Sequence, residues 1–498
     1  MDYIGISCGF HDAALSVVSD KGEITFASHS ERYCGNKHTK YLNIDIVKDA
    51  MNYIDDRHDI EVHYYERPFM KYLRQLRAGE DTCIANLFAS NIIGKGVLHQ
   101  LQDGRGGKIH THNHHLSHAA AGFQTSPFTD ATVVVIDAIG EFDTITIWDA
   151  CYKNGKAQYK KLYSNKYPNS IGLFYSAMTQ RVGLAPMDEE YIMMGMAAYG
   201  EPKHYAQMHM DLLESSSDLE FKHNLHIGVD NTYLDGADNM DIAASSQLLV
   251  EQLIMQVMQK ARVYGKSKNL VYGGGVALNC SANRLLGQKF DNIWIMPNPG
   301  DAGSSLGAAA LGYGGRIDFR SAYLGHNIPG NYPVNDILSE LLTKQIVGVA
   351  SGRAEFGPRA LGNRSLLADP RGSTIKETVN EIKRRQKFRP FAPVILEELV
   401  DEYFIMPDNW RDSRYMQVIA TCRCPDLFPA IVHHDGTSRV QTVPKDGSGI
   451  RELLEKWYVM TECPMLLNTS LNIRGEPMVN DREDADRFEA LYGIRVIS

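Results

Sequence analysis

Histidines crowd one stretch of the chain, His110-Thr-His-Asn-His-His-Leu-Ser-His118, and imidazole is the side chain best suited to bind a metal or move a proton near neutrality. The small apolar run Ala119-Ala-Ala-Gly122 follows it. On a helix, His114 and His118 fall four residues apart on one face, where both can reach one ion. His115 faces His118 at three residues' spacing, and His110 and His112 add further donors, so spacing alone leaves the pairing open. Carboxylates stand at strand ends elsewhere. Asp137 closes Thr132-Val-Val-Val-Ile-Asp137, and Asp301 follows the strand pattern Ile293-Trp-Ile-Met296 within Pro297-Asn-Pro-Gly-Asp-Ala-Gly303. His11, beside Asp12 in the turn Cys8-Gly-Phe-His-Asp12, is a candidate general base.

The elements that must position these groups repeat. Tyr3–Ser7, Ala13–Val18 and Ile24–Ala27 read as three short strands of an antiparallel meander. The same order of strand, acid-bearing turn, strand, turn, strand returns at 132–137, 144–148 and 160–163. A repeated unit predicts two related lobes facing each other across a cleft, the actin, sugar-kinase and Hsp70 type of architecture. Between the two meanders, residues 44–100 read as helices, with Val47, Ala50, Met51 and Ile54 on one stripe and Lys71, Arg74 and Arg77 on a later segment. This insertion, near 44–110, is expected to face substrate. Ser170 is expected to cap a helix over 171–182, and another helix spans 244–262. Asn269–Tyr272 reads as a buried strand running into Gly273-Gly-Gly-Val-Ala-Leu-Asn279, where glycines before a helix start let a phosphate or ribose approach backbone N–H groups.

The first, lobed domain is expected over 1–316, a linker over 317–344 and a second domain over 345–498. That second domain opens with Ile346–Ala350 and is dense in bases: Arg353, Arg359, Arg364, Arg371, Lys376, Lys383, Arg384, Arg385, Lys387 and Arg389. Such an excess fits an anionic ligand held by guanidinium forks. A helix is expected from Asn480, with Ala485, Phe488 and Leu491 inward.

A chain of 498 residues exceeds what one hydrophobic core serves. The net charge of -9 gives no global attraction to nucleic acid or anionic lipid. No apolar run is long enough for a membrane span and the N-terminus carries no signal pattern, which predicts a cytoplasmic protein. The eight cysteines have no framework spacing, so reduced thiols are expected.

Taken together, His11-Asp-Ala-Ala14, His114-His-Leu-Ser-His-Ala-Ala120, Asp137-Ala-Ile-Gly-Glu141, Met194-Gly-Met-Ala-Ala-Tyr-Gly200, Gly274–Asn279, Gly300-Asp-Ala-Gly303, Glu355-Phe-Gly-Pro-Arg-Ala-Leu-Gly-Asn-Arg-Ser365, Lys387-Phe-Arg-Pro-Phe-Ala-Pro393, His434–Gln441 and Asn468-Thr-Ser-Leu-Asn472 resemble the O-carbamoyltransferase family, over nearly the whole chain. That family includes nodulation-factor, cephamycin and aminoglycoside carbamoyltransferases. The resemblance implies an α/β fold: a two-lobed ASKHA domain like that of the tRNA threonylcarbamoyl-transferring proteins, then a smaller α+β YrdC-like domain. It implies that carbamoyl phosphate and ATP form carbamoyl-adenylate in the second domain, and that the carbamoyl group passes to an acceptor hydroxyl in the first.

Carried over by residue, the resemblance implies a divalent metal, Fe(II) first, on His114, His118, Asp137 and Asp301, a donor set that suits a borderline transition ion. It implies His11 and Asp12 as catalytic groups, and Gly140, Gly274, Gly275, Asn279 and Gly303 toward the nucleotide or adenylate. It also implies Arg353, Arg359, Lys383, Arg389, Arg439, Asn468 and Ser470 toward carbamoyl phosphate and ATP. Ile192 stands where the family has Lys, which removes one cation from the lobed domain. The expected partner is a hydroxylated acceptor, a sugar, natural product or modified nucleotide, with nucleic acid entering only as acceptor. Two other readings are a tRNA threonylcarbamoyl transferase, which the attached basic domain opposes, and an ATP-gated clamp or chaperone, which needs no metal ligands.

Overall fold

The computed structural model describes residues 1–55, 58–102, 108–215, 217, 219–372 and 374–498. The chain divides into two units: Met1–Ser30 with His38–Arg320, and Glu31–Lys37 with Ser321–Ser498.

The first unit is built on two five-stranded sheets of identical order. In one, β1 (Asp2–Ser7), β2 (Ala14–Val18) and β3 (Ile24–His29) form the expected antiparallel meander, while β4 (Ile60–Tyr64) and β5 (Ile109–Thr111) add in parallel on the other side of β1, giving β3-β2-β1-β4-β5. In the other, β6 (Asp130–Gly140), β7 (Asp143–Lys153) and β8 (Lys156–Lys166) form the meander. A small hairpin intervenes, β9 (Leu213–Ser215) and β10 (Glu220–Phe221). Then β11 (Asn269–Gly273) and β12 (Asn292–Trp294) add in parallel, giving β12-β11-β6-β7-β8. This repeat is the two-lobed architecture that the sequence predicts.

Two helices occupy the middle of the unit. The histidine helix, His114–Thr125, runs from β5 to β6 and is buried along nearly its whole length. The closing helix, Ser304–Tyr313, is made of Gly, Ala, Ser and Leu up to Gly312, and it rests on the first sheet through a 2.7 Å hydrogen bond between the Ser305 and Ser16 hydroxyls. Close packing requires small side chains. A Cβ on Gly307 would overlap the Ser117 carbonyl oxygen of the histidine helix. Ser170 caps the helix Ile171–Arg181 as expected, accepting from the Leu173 N–H at 3.1 Å. The long helix Asn239–Tyr264 extends the expected one at both ends, with Asp238 as its cap.

Several expectations are corrected. Residues 44–100 are not all helical, because β4 lies inside them. Ile60-Glu-Val-His-Tyr64 is short, and its apolar residues fit both periods. The bases expected on the insertion's surface are partly tied: Arg74 is 5% exposed and paired with Glu80, and Lys71 donates to Glu66 at 2.7 Å. The stretch 317–344, read as a linker from its Gly, Asn and Pro, holds β13 (Tyr323–Ile328) and the helix Val334–Lys344, whose Val334, Ile337 and Leu341 are buried.

The second unit carries a six-stranded mixed sheet in the order β21-β17-β22-β16-β14-β23. Its strands are β14 (Ile346–Ala350), β16 (Arg364–Ala368), β17 (Ala392–Leu396), β21 (Gln441–Val443), β22 (Met465–Ser470) and β23 (Val496–Ile497). A short strand, β15 (Gly352–Glu355), pairs with β13, and β18 (Phe404–Ile405), β19 (Ile419–Cys422) and β20 (Thr437–Arg439) form a small antiparallel sheet. One core gathers Trp457 of the helix Gly449–Thr461 with Ile337 and Leu341, and another gathers Phe391, Phe404 and Phe488. The last helix is Arg482–Tyr492 with Asp481, not Asn480, as its cap, and Leu491 is 64% exposed rather than inward. The helix Ile375–Ile382 ends just before Lys383, Arg384 and Arg385. Arg364, grouped above with ligand-binding bases, is fully buried and donates to the carbonyls of Asn480, Ser351, Asn363, His326 and Gly352 at 2.9–3.2 Å. Its fork is spent on backbone, so it serves as an internal post of the fold.

Candidate active site and metal centre

Asn113 ends β5's extended chain and caps the histidine helix, accepting from the Leu116 N–H at 3.0 Å. That cap fixes where the helix starts and thereby which histidines share a face. His110 lies in β5, and His112 precedes the helix against His63, with His63 Nδ1 and His112 Nε2 3.0 Å apart. His115 turns to Thr146, Nδ1 to Oγ1 2.9 Å. His114 and His118 remain, with their Nε2 atoms 3.1 Å apart.

Asp137, toward the end of β6, and Asp301, in the turn before the closing helix, meet that pair. His114 Nε2 lies 3.1 Å from Asp137 Oδ2 and 3.3 Å from Asp301 Oδ1, and His118 Nε2 lies 3.5 Å and 3.2 Å from the same atoms. All four residues are buried, and one donor atom of each lies within 4.8 Å of all the others. Donors bound at about 2.1 Å to one ion sit about 3.0–3.4 Å apart, so the separations fit a metal's first shell. The surrounding groups fit as well. His118 Nδ1 donates to the Pro299 carbonyl at 3.0 Å, which leaves Nε2 with its lone pair toward the centre. His114 Nδ1 is directed at Glu66, 3.6 Å away, and Asp137 Oδ1 accepts from the Gly275 N–H at 3.2 Å. Burial disfavours charge on both imidazoles, but the Asp301 and Asp137 carboxylates outweigh it and raise both above their ordinary value. The two carboxylates thus favour positive charge at this centre, which protons on the imidazoles or a bound cation can supply. It can hold a divalent metal.

His11 stands next to this centre, its Nε2 3.9 Å from Asp301 Oδ2. Its Nδ1 lies 2.8 Å from Asp12 Oδ2, and since a carboxylate only accepts, Nδ1 carries the hydrogen and Nε2 is free to take one. Burial works against charge on His11, yet the Asp12 hydrogen bond and the Asp301 charge raise its titration. Asp12, despite burial that would raise it, is held far below the usual carboxylate range by hydrogen bonds from His11 and His38.

The residues expected around a nucleotide have structural duties too. Gly140 admits the histidine helix, since a Cβ there would overlap the His115 and His114 rings. Gly274 and Gly275 follow β11, and Gly303 ends the turn that carries Asp301. Asn279 caps a helical turn through the Ala282 N–H at 3.0 Å and pairs with Gln247. Ile192 is 1% exposed and belongs to the core.

In the second unit, Lys383 and Ser470 come together. Lys383 Nζ donates to the Ser470 carbonyl at 2.5 Å, to its hydroxyl at 3.1 Å and to Asn472 Oδ1 at 2.9 Å. Burial, then the Arg385 and Arg389 charges, push this amine well below its ordinary value. Asn468 donates to Gln441 Oε1 at 2.7 Å and to the Ala360 carbonyl at 3.1 Å, while its own Oδ1 is buried with no hydrogen-bond partner among the described residues. Arg353 spends donors on the Leu324 and Gly325 carbonyls. Arg359, Arg389 and Arg439 are half-buried.

Residues 2–310 match the family model described as carbamoyltransferase N-terminus, and residues 338–497 match carbamoyltransferase C-terminus. The chain belongs to the carbamoyltransferase family. It is 33% identical to an uncharacterized protein of Synechocystis, over 97% of this chain and 93% of that one. It is 30% identical to the nodulation protein NolNO of Sinorhizobium fredii, over 95% and 76%. It is 27% identical to nodulation protein U of the same organism, over 94% of each chain. As a carbamoyltransferase it moves a carbamoyl group to an acceptor. Among the described residues no helix is long and apolar enough to cross a membrane.

Four polar groups of this carbamoyltransferase's lobed unit escaped sequence reading: Glu66, behind His114; Glu141, which pairs with Arg67 and accepts from the His114 N–H at 3.3 Å; and His38 and Asp188, which follow on from Asp12. Glu141 stands four residues after Asp137 in the acid-bearing turn, and its signals are that repeat and its place at the end of the segment Asp137-Ala-Ile-Gly-Glu141, which assign it no role.

Proposed function

We propose that this carbamoyltransferase is an ATP-dependent O-carbamoyltransferase that turns carbamoyl phosphate, ATP and one water into carbamoyl-adenylate, phosphate and pyrophosphate, and then carbamoylates a hydroxyl of its acceptor. The observation that carries the reading is the four-donor centre of His114, His118, Asp137 and Asp301 with the His11–Asp12 pair beside it. Activation is assigned to the second unit. There Arg385 and Arg389, beside the buried Lys383, supply positive charge of the kind a phosphate dianion needs, with Lys383, Arg353, Arg359, Arg439, Asn468 and Ser470 as further contacts.

Transfer is assigned to the lobed unit. The acceptor oxygen attacks the carbamoyl carbon, its proton goes to His11 Nε2, and the bond to the adenylate phosphate breaks so that AMP leaves with the electron pair. Asp12 holds the ring and stabilises the imidazolium that forms. His114, His118, Asp137 and Asp301 would hold the metal, Fe(II) in this reading, which supplies Lewis-acid polarisation when bound. The nucleotide portion is assigned to the turns at Gly140, Gly274, Gly275, Asn279 and Gly303. The acceptor class is a sugar, natural product or nucleotide bearing a hydroxyl or hydroxymethyl group.

The test is incubation with labelled carbamoyl phosphate, ATP and a panel of hydroxylated acceptors. Product formation that requires ATP and stops in His11→Ala supports the reading. Carbamoyl transfer that proceeds at full rate without ATP would sink it.

A further inference from the structure

Behind His11 the polar groups continue in a line. Asp12 gives one carboxylate oxygen to His11, and its other oxygen, Oδ1, meets His38 Nδ1 at 2.7 Å. His38 in turn presents Nε2 to Asp188 Oδ1 at 2.9 Å. Two carboxylates thus grip the two nitrogens of one imidazole, and the line runs Asp188, His38, Asp12, His11, Asp301.

The backbone enforces this line. The segment that carries His38 is pinned along the turn, with the Gly9 N–H donating to the Lys40 carbonyl at 2.8 Å and the Ala13 N–H to the Thr39 carbonyl at 2.9 Å. Asp12 and His38 both adopt left-handed backbone, φ 50° and 54°, a conformation that is unfavourable at a non-glycine residue and persists where surrounding contacts over-determine it. Asp12 belongs to the turn between β1 and β2 of the first sheet, whereas Asp188 lies just before the helix Glu190–Met196, after the meander of the second. One imidazole therefore ties the base-bearing turn to the other half of the lobed unit.

We infer that His38 is a positioning residue for carbamoyl transfer: by clasping Asp12 from behind and anchoring on Asp188, it fixes the Asp12–His11 pair with His11 Nε2 turned toward the metal centre. Without His38 the Asp12 carboxylate loses its second donor and can rotate, and His11 loses the partner that selects its tautomer. The effect falls on the step in which His11 takes the proton, not on donor binding or on metal binding. This inference rests on the reading of His11 as the base.

The experiment compares His38→Ala, Asp188→Asn, His38→Gln/Asp188→Asn and His11→Ala in the full chain. It measures transfer from labelled carbamoyl phosphate and ATP to glycerol as a surrogate hydroxyl acceptor, together with pyrophosphate exchange into ATP, bound metal and melting temperature. His38→Ala should lower kcat by about 10- to 100-fold, with exchange, metal content and KM for carbamoyl phosphate unchanged. The double variant, in which the introduced glutamine amide can donate to Asp12 and accept from the introduced asparagine amide, should recover part of that loss. Asp188→Asn alone should lower kcat by about 3- to 10-fold, and an unchanged kcat there overturns the inference even if His38→Ala fails to fold. A normal kcat in His38→Ala, or a loss that tracks metal content or melting temperature, also overturns it. If His11→Ala transfers normally, the base assignment fails on its own. If His11→Ala is impaired while His38→Ala is not, only the role of His38 falls.

Discussion

His114 and His118 divide their two nitrogens between tasks: each points Nε2 at the shared centre, while Nδ1 of His118 is spent on a carbonyl and Nδ1 of His114 faces Glu66. Partners of this kind set the basicity and aim of a metal-binding imidazole. Glu66→Gln should therefore weaken metal binding by about 10- to 100-fold, read by chelator competition, and His118→Ala should weaken it further. A Glu66→Gln enzyme that holds its metal as tightly as wild type would show that the 3.6 Å approach of Glu66 to His114 contributes nothing. On the activation side, Lys383→Ala and Arg389→Ala should each abolish carbamoyl-phosphate-dependent exchange of pyrophosphate into ATP. Intact exchange in both would mean that activation happens at other residues.

At the scale of elements, the centre exists because the histidine helix and the closing helix approach closely, and Gly307 is where they touch. Gly307→Ala must push the two apart. A destabilisation of about 1–3 kcal/mol is expected, measured by urea unfolding, with a fall in bound metal because Asp301 leads into the same helix. Unchanged stability and metal content would mean that the interface gives way freely. Much of this level is legible in the sequence. The meanders announce themselves by β-branched runs between turns, and the four-residue spacing of His114 and His118 announces the helix. What is not legible is long-range. Nothing near Glu66, His38 or Asp188 in the chain marks them for the site, because the site residues they face, His114, Asp12 and His38, lie 48, 26 and 150 residues away. β4 escapes because five residues cannot establish a period, and Arg364 misleads because a charge count does not tell a phosphate from five carbonyls.

At the scale of the whole molecule, each unit holds an imidazole in neutral form, His63 buried and His433 half-buried. Burial first, then the charge of His110, drives His63 down to about 4 in the lobed unit. Burial again, helped by Arg439 and Lys376 against Asp435, drives His433 down to about 4 in the second. Both lie below the ordinary value of about 6.5, so between about pH 6.5 and pH 4 the unfolded chain binds protons that the folded chain refuses. Stability is fully present above about 6.5 and falls with pH below it, by about 1.4 kcal/mol per pH unit for each such group. Urea midpoints should drop steadily from about pH 7 to about pH 5, and less so in His63→Gln. A midpoint that is flat across that range would contradict the neutral state of both rings.

The short segment Glu31–Lys37 belongs to the second unit although the chain has barely begun when it is made. Its Arg32 is 4% exposed and donates to the carbonyls of Glu355, at 2.6 Å, and Gly357, at 2.9 Å, the first of them 323 residues downstream. A ribosome adding about 5–20 residues per second delivers those acceptors tens of seconds after the arginine has emerged. For that interval the guanidinium must stay hydrated and the segment unclaimed, while the lobed unit forms from the chain on its two flanks. The second unit therefore cannot be completed by translating its own contiguous stretch, and birth order on the ribosome differs from order in the fold. A fragment starting at 321 should melt lower than the same fragment with residues 31–37 fused to it. Equal melting temperatures would mean that the early arginine adds nothing to what is made last.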